Sequence, residues 1–295
     1  MKMLLSGAAW RDEQSGVVER AEFIGSAGDR LLTTAHLPTG PASGAVVICS
    51  PTGRAHLRGY RREVILGRAL ARRGIAAARF CYRGVGNSDV LPSGEPTLET
   101  MDQDTSVVTQ WLAGVTGAAQ VGFCGSGLEC LVAARAAAAR PDAPLVLIEP
   151  ASDGRSYYRQ LFRSGQVAGA RSGEGGTTGS RALLDEQGWV DVLGYRVERA
   201  GYEIAAGRSL TTELHGGDRP VLVVQIDRRD GLRPDLAKLA DGWREAGVAV
   251  ETLVIKVAHA WWFIPDWEPD ESEQENVELV LRVVDWLSAH LEPRG

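Results

Sequence analysis

Apolar and polar positions along this chain change rhythm several times, and the rhythm predicts most of the architecture. GAVVICS, residues 44–50, is a continuous apolar run of strand length. It is followed by the loop PTGRAHLRGY and by REVILGRALARRG, whose apolar residues recur at helical spacing. IAAARFCY is a second strand-length run, a helix is predicted from about Leu98 to Leu112, and VGFC is a third run. The alanine-rich helix Leu128 to Arg140 and the strand PLVLIEP complete the first half. Strand, helix, strand units of this kind place neighbouring strands parallel, with right-handed crossovers, and continuous apolar runs belong to strands buried on both faces. Ahead of this unit, VVERAEFIG and DRLLTTAHLP flank Ser26, Ala27 and Gly28 and predict an antiparallel hairpin at a sheet edge.

The rhythm breaks after Pro150 and resumes at Arg219. Residues 151–218 are rich in Gly, Arg, Ser and Tyr, include RSGEGGTTGSR, and offer only short elements such as GWVDVLGYRV. A stretch that long inside a compact domain is expected to be a functional lid or partly disordered. From Arg219 come the strand PVLVVQID, the helix PDLAKLADGWREAG, the strand VETLVIKV and a long helix, NVELVLRVVDWLSAHL. The expectation is one mostly parallel, doubly wound α/β domain of about eight strands, built from residues 1–150 and 219–295, with residues 151–218 inserted as a lid.

Size, charge and cysteines narrow the function. The 295 residues suffice for a core without staples, and 32 Lys plus Arg scattered among 38 acidic residues leave a net charge of −6 with no basic face for nucleic acid. MKMLLSGAAW is too short an apolar run for a signal peptide, no later run has the length of a spanning helix, and a cytoplasmic protein without membrane partners is expected. Cys49, Cys81, Cys124 and Cys130 lack metal-ligand spacing, so neither disulfides nor zinc nor any other cofactor is expected.

One stretch concentrates the chemistry. In QVGFCGSGLEC, residues 120–130, an apolar strand end meets small residues and runs directly into helix. Such a turn presents one side chain at its apex, and the reading places Cys124 there. The plain alternative is a buried structural thiol. A nucleophile at Cys124 needs a base, an orienting acid and backbone donors. Asp230 follows PVLVVQID and His259 follows VETLVIKV, so a parallel sheet would gather both at its carboxyl edge. Asp227, Glu149 and Asp153 are alternative acids, and His56 is a rival base.

With these residues in hand, the chain resembles the α/β-hydrolase superfamily over nearly its whole length. The order nucleophile, acid, histidine is the family's order, and the lid falls where family caps are inserted. YRGVGNSD, residues 82–89, is similar to the family's Arg-Gly-x-Gly-x-Ser turn, and SPTG, residues 50–53, stands where the oxyanion loop follows a strand. The front half is most similar to lipase-like, serine-aminopeptidase-like and exosortase-associated hydrolases. Family elbows read Gly-x-Ser-x-Gly, and this chain departs twice, with Cys124 for serine and Ser126 for the second glycine. Dienelactone hydrolases and some thioesterases carry cysteine at that apex. Ser126 as nucleophile fits poorly, because Leu128 would stand where a small residue is required.

The resemblance implies hydrolysis of an ester, thioester or lactone, free or carrier-bound, through an acyl-cysteine formed by Cys124, His259 and Asp230. Its oxyanion hole would use backbone N–H groups of Gly125 and of Thr52 or Gly53. Trp261, Trp262, Tyr157 and Tyr158 would wall the acyl pocket, with Phe162 closing over it. Acyl transfer, cyclisation or elimination on the same fold is one alternative, and a binding protein that lost the family serine is another.

Overall fold

The computed structural model describes residues 8–12, 16–92, 94–172, 179–214, 219–256 and 270–291. In chain order the elements are β1 (Ala8–Asp12), β2 (Val17–Ile24), β3 (Leu31–Pro38), β4 (Gly44–Cys49), α1 (Gly53–Arg72), β5 (Ile75–Phe80), α2 (Leu98–Thr116) and β6 (Val121–Ser126). After a short 3-10 turn, Gly127–Glu129, come α3 (Cys130–Ala138), β7 (Leu145–Ile148), α4 (Gly154–Ser172), α5 (Ser180–Gln187), β8 (Trp189–Val192) and β9 (Tyr195–Glu198). The chain continues through α6 (Arg199–Ala206), α7 (Leu210–Glu213), β10 (Pro220–Ile226), α8 (Pro234–Glu245), β11 (Ala249–Ile255) and α9 (Asp270–Leu291).

Among the described residues, nine strands form one sheet in the order β1-β2-β3-β5-β4-β6-β7-β10-β11. The first three are antiparallel to their neighbours, and β5 through β11 run parallel. The ninth strand is β1, which pairs with β2 at the edge and was not expected from its weak apolar pattern. Every residue of β4 is buried, as two-sided coverage requires. Val47, Phe123, Leu147 and Val223 face α2, α3 and α8 through Leu112, Leu131 and Leu236. Val46, Cys124, Val146 and Val224 face α1 and α9 through Leu66, Leu70, Val283 and Leu287. Alternation along each strand thus sorts one continuous apolar run into two cores. Among the described residues no helix is long and apolar enough to cross a membrane.

The inserted segment corrects the expectation of irregularity. It lies between β7 and β10 and folds as α4, α5, a β8–β9 hairpin, α6 and α7. Phe162, Leu184, Val190, Val192 and Val197 give it a small core of its own. In α4 the apolar residues Tyr157, Tyr158, Leu161 and Phe162 make a helical stripe that the intervening arginines obscure in a linear reading. The hairpin turns on Leu193 and Gly194, both at positive φ (59° and 84°), which matches the twist a two-residue loop needs.

Position follows from topology. Strand β4 has β5 on one side and β6 on the other, and α1 and α2 leave toward opposite faces. The order in which successive strands are laid down reverses there, so a crevice opens beyond the carboxyl ends of β4 and β6, where open α/β sheets hold their ligands.

Candidate active site

The turn that leaves β6 is the first component of that crevice, and its apex is not Cys124. Strand pairing continues past the cysteine on both sides: Cys124 lies opposite Ile48 and Val146, Gly125 opposite Cys49 and Leu147, and Ser126 opposite Ile148. Cys124 is therefore an interior strand residue, 1% exposed, packed on the α1 and α9 side. Burial pushes its thiol up to about 12, against the opposing pull of the Arg62 charge. The chain turns at Gly127, with φ +65°, and α3 begins at Cys130.

Two glycines show why the turn falls there. A Cβ on Gly125 would stand 2.8 Å from the Glu129 carbonyl oxygen and 2.9 Å from both Cys130 Cα and Ala133 Cβ, so strand and helix touch at this residue. A Cβ on Gly127 would meet nothing within 4 Å. The elbow geometry is present, shifted three residues along, and the position that projects into open space carries no side chain. Linear reading favoured Cys124 because small residues at two-residue spacing occur in two registers, Gly122 to Ser126 and Gly125 to Glu129. The second ends in a bulky glutamate.

Glu129 fits because its side chain crosses to the loop after β4. Its Oε1 accepts the Thr52 N–H at 2.9 Å and the Thr52 hydroxyl at 2.6 Å. The Thr52 amide, expected as an oxyanion donor, is thereby engaged by a carboxylate. Gly53 opens α1 at φ +57°, and a Cβ there would lie 3.6 Å from Tyr195 Cδ1, so the inserted hairpin reaches this loop. Gly125, the other expected donor, is held inside β6.

Charged groups lie buried beneath the turn. Arg62 donates to the Ser126 hydroxyl at 2.8 Å, and the Ser50 hydroxyl donates to Glu63 at 2.8 Å. Arg62, Glu63 and Glu129 are all nearly inaccessible. Burial raises the Glu129 carboxyl to about 7, with the Thr52 hydrogen bonds opposing, and raises Glu63 to about 7, with the Arg62 charge opposing. Carboxyls moved to neutrality by desolvation are suited to exchange protons near pH 7. No sequence pattern announces the Thr52 and Glu129 pair, which tertiary structure joins across 77 residues. Among the described residues, no group of three or more His, Cys, Asp or Glu could hold a metal ion.

The expected acid is not gathered here. Asp230 is exposed and ion-paired to Lys256, pointing into solvent while Cys124 is sealed in the sheet. Asp227 is buried and accepts from the Arg229 amide at 3.0 Å and its guanidinium at 2.9 Å. Glu149 adopts φ +48°, rare for a side-chain-bearing residue, and is held by Arg233 at 3.0 Å and by the Ile226 amide. Asp153 accepts the Ser156 N–H at 2.8 Å and caps α4. His56 lies on α1, edge-on to Tyr60 with centroids 5.8 Å apart. His259, Trp261 and Trp262 lie outside the described residues.

Tyr157 and Tyr158 are half-buried on α4 and pack against the core on the α3 side. Their centroids are 5.4 Å apart, and Tyr158 continues to Tyr202 at 5.4 Å and Phe162 at 5.9 Å. Burial, reinforced by the Glu129 charge, raises both phenols, Tyr158 to about 12. Phe162 is directed into the inserted segment's own core.

No family model matches the chain. An uncharacterized protein of Mycobacterium tuberculosis, from strains CDC 1551 / Oshkosh and ATCC 25618 / H37Rv, is 32% identical over 114 residues. That match spans 38% of this chain and 38% of the curated relative. Est1E from Butyrivibrio proteoclasticus superposes with a TM-score of 0.61 at 16% identity, covering 92% of this chain and 98% of that one. An alpha-beta serine hydrolase homologue from Coxiella burnetii gives 0.55 at 18% identity, covering 90% and 96%. Dienelactone hydrolase from Anabaena variabilis gives 0.54 at 14% identity, covering 92% and 97%. At these identities the likeness is one of fold: the chain has the α/β-hydrolase fold.

Proposed function

We propose that the chain is an enzyme of the α/β-hydrolase class that acts on an ester, thioester or lactone by activating water, with Glu129 as the proton-transfer group. One observation carries this reading: a buried carboxyl with a neutral-range pKa adjoins a turn whose apex is open space and holds the expected oxyanion donor. In the proposed cycle Glu129 takes a proton from water, and the resulting hydroxide adds to the substrate carbonyl. Once protonated, Glu129 relaxes its hold on the Thr52 amide, which is then free to donate to the developing oxyanion. The carbon–heteroatom bond breaks as the tetrahedral species collapses, and Glu129 returns its proton to the leaving group.

The competing acyl-cysteine reading, with Cys124, His259 and Asp230, requires β6 to open, because the thiol sits within the paired strand on its α1 and α9 side, away from the turn, and is held protonated. A second reading, a binding protein without turnover, is favoured by the missing side chain at Gly127. A panel of p-nitrophenyl esters and acyl thioesters separates the three. We expect turnover without a burst, rising with pH through the neutral range, retained in Cys124→Ala and lost in Glu129→Gln. Loss in Cys124→Ala would restore the acyl-cysteine, and saturable binding without turnover in every form would establish the binder. An added amine or alcohol tests whether the acyl group is transferred instead of hydrolysed.

A further inference from the structure

The inserted segment contains a cleft of its own, independent of the turn at Gly127. It encloses about 640 Å³ and is lined by Arg155, Arg159, Phe162, Arg181, Tyr202 and Glu203, with Ala206 and Gly207. Arg155 and Arg159 lie four residues apart on α4, hence on one helical face, where like charges repel. Arg181 approaches from α5, its guanidinium carbon 4.4 Å from the Tyr202 ring centre. Arg181 is paired with Asp185 at 2.9 Å, whereas Arg155 and Arg159 have no charge partner among the described residues. Three guanidinium groups thus converge on one concavity in which, among the described residues, the lining carboxylate is Glu203.

A solvated helix face would also carry arginines. It would not pair them with a ring platform, and here Tyr202 is tilted 31° to Phe162 at 6.0 Å and stands edge-on to Tyr158 at 5.4 Å. The ring is fixed by packing while the guanidinium groups remain exposed. Guanidinium forks match the oxygens of phosphate, and the Arg181 guanidinium, backed by the Tyr202 ring, offers a planar ring its own face as a stacking partner.

We propose that this cleft binds a phosphate monoester carried on an aromatic ring, with Arg155 and Arg159 on the phosphate and Tyr202 with Arg181 on the ring. The test uses the whole chain and calorimetric titration with 1-naphthyl phosphate, inorganic phosphate and 1-naphthol. The expected result is saturable binding of 1-naphthyl phosphate that weakens as salt rises, because exposed charges are screened. Inorganic phosphate should bind more weakly and 1-naphthol weakest. The double variant Arg155→Ala/Arg159→Ala removes only exposed side chains and should bind 1-naphthyl phosphate about tenfold or more weakly. Tyr202→Leu should weaken 1-naphthyl phosphate while leaving inorganic phosphate unchanged. Equal affinity in wild type and the double variant, or 1-naphthol binding as tightly as its phosphate, would overturn the proposal. No turnover is measured, so the result stands apart from the chemistry proposed for Glu129.

Discussion

Cys124 and Gly127 stand three residues apart in one strand-turn-helix unit, and they divide the properties of a nucleophile between them. Cys124 has the reactive atom but is sealed between two helices, 1% exposed, its thiol held protonated by desolvation. Gly127 has the left-handed geometry, with open space where a Cβ would project, but no side chain. Backbone shape and reactive chemistry are separable properties of an elbow, and they coincide only where the residue at the apex carries the reactive atom. What fills the gap is Glu129, two residues beyond Gly127, which brings its carboxylate to the Thr52 loop.

The largest effect should come from the residue that joins the two regions. A side chain on Gly125 would strike the Glu129 carbonyl, Cys130 Cα and Ala133 Cβ at 2.8–2.9 Å, and backbone atoms cannot swing aside. Gly125→Val is expected to cost about 3 kcal/mol or more, enough to abolish folding of a marginal domain. Urea denaturation measures it. A near-neutral result would mean that helix α3 can slide, and that the turn is not fixed at Gly127.

Next in size is the pH dependence contributed by Glu129. Its folded pKa, raised to about 7 by burial, lies above its unfolded value near 4.5. The folded state therefore binds more protons between those values. This contribution is fully present below pH 4.5 and is lost as pH rises through 7, with a ceiling on the order of 3 kcal/mol. Glu63 has the same sign. His36, lowered to about 4 by burial, has the opposite sign: its contribution is present above 6.5 and lost as pH falls through 4. Subtracting the stability profile of Glu129→Gln from that of wild type isolates the Glu129 slope, and a flat difference between pH 5 and 8 would remove it from consideration as a neutral-range base.

Much of the frame was legible in the linear pattern, because parallel strands covered on both faces must be apolar throughout. GAVVICS, IAAARFCY, PLVLIEP and PVLVVQID all became central strands. The inserted segment was not legible, since its core residues are interleaved with arginines and glycines and bury themselves only against one another. The apex was misplaced for a different reason. Small residues recur in two registers, and choosing between them depends on where Glu129 goes, which is decided by Thr52 in a loop far away in sequence. Asp230 follows its strand as expected but turns toward Lys256, an ion pair that linear spacing does not encode.

Cys124→Ala should cost about 1–2 kcal/mol, the loss of one buried sulfur atom from the α1 and α9 core. Thermal unfolding gives the value. A stability equal to wild type would show that the thiol is not packed as a core atom, and would reopen its candidacy as a nucleophile.

The smallest stability effect belongs to Gly127, and it bears most directly on the comparison. A Cβ there meets no atom within 4 Å, so the cost of Gly127→Cys is that of a left-handed backbone alone, about 1 kcal/mol. The new thiol would project into the crevice beyond β4 and β6 and should alkylate rapidly with iodoacetamide in the native protein. Cys49, Cys124 and Cys130 are buried and should react only after unfolding; Cys81, partly exposed, serves as the internal reference. Site-resolved mass spectrometry over a time course ranks these rates. The order Gly127→Cys, then Cys81, then Cys124 fixes the elbow at Gly127, because reactivity then follows exposure at the turn and not the native thiol nearest to it. If native Cys124 reacts as fast as the introduced cysteine, the strand opens in solution, and the reactive atom and the exposed geometry belong to one residue after all.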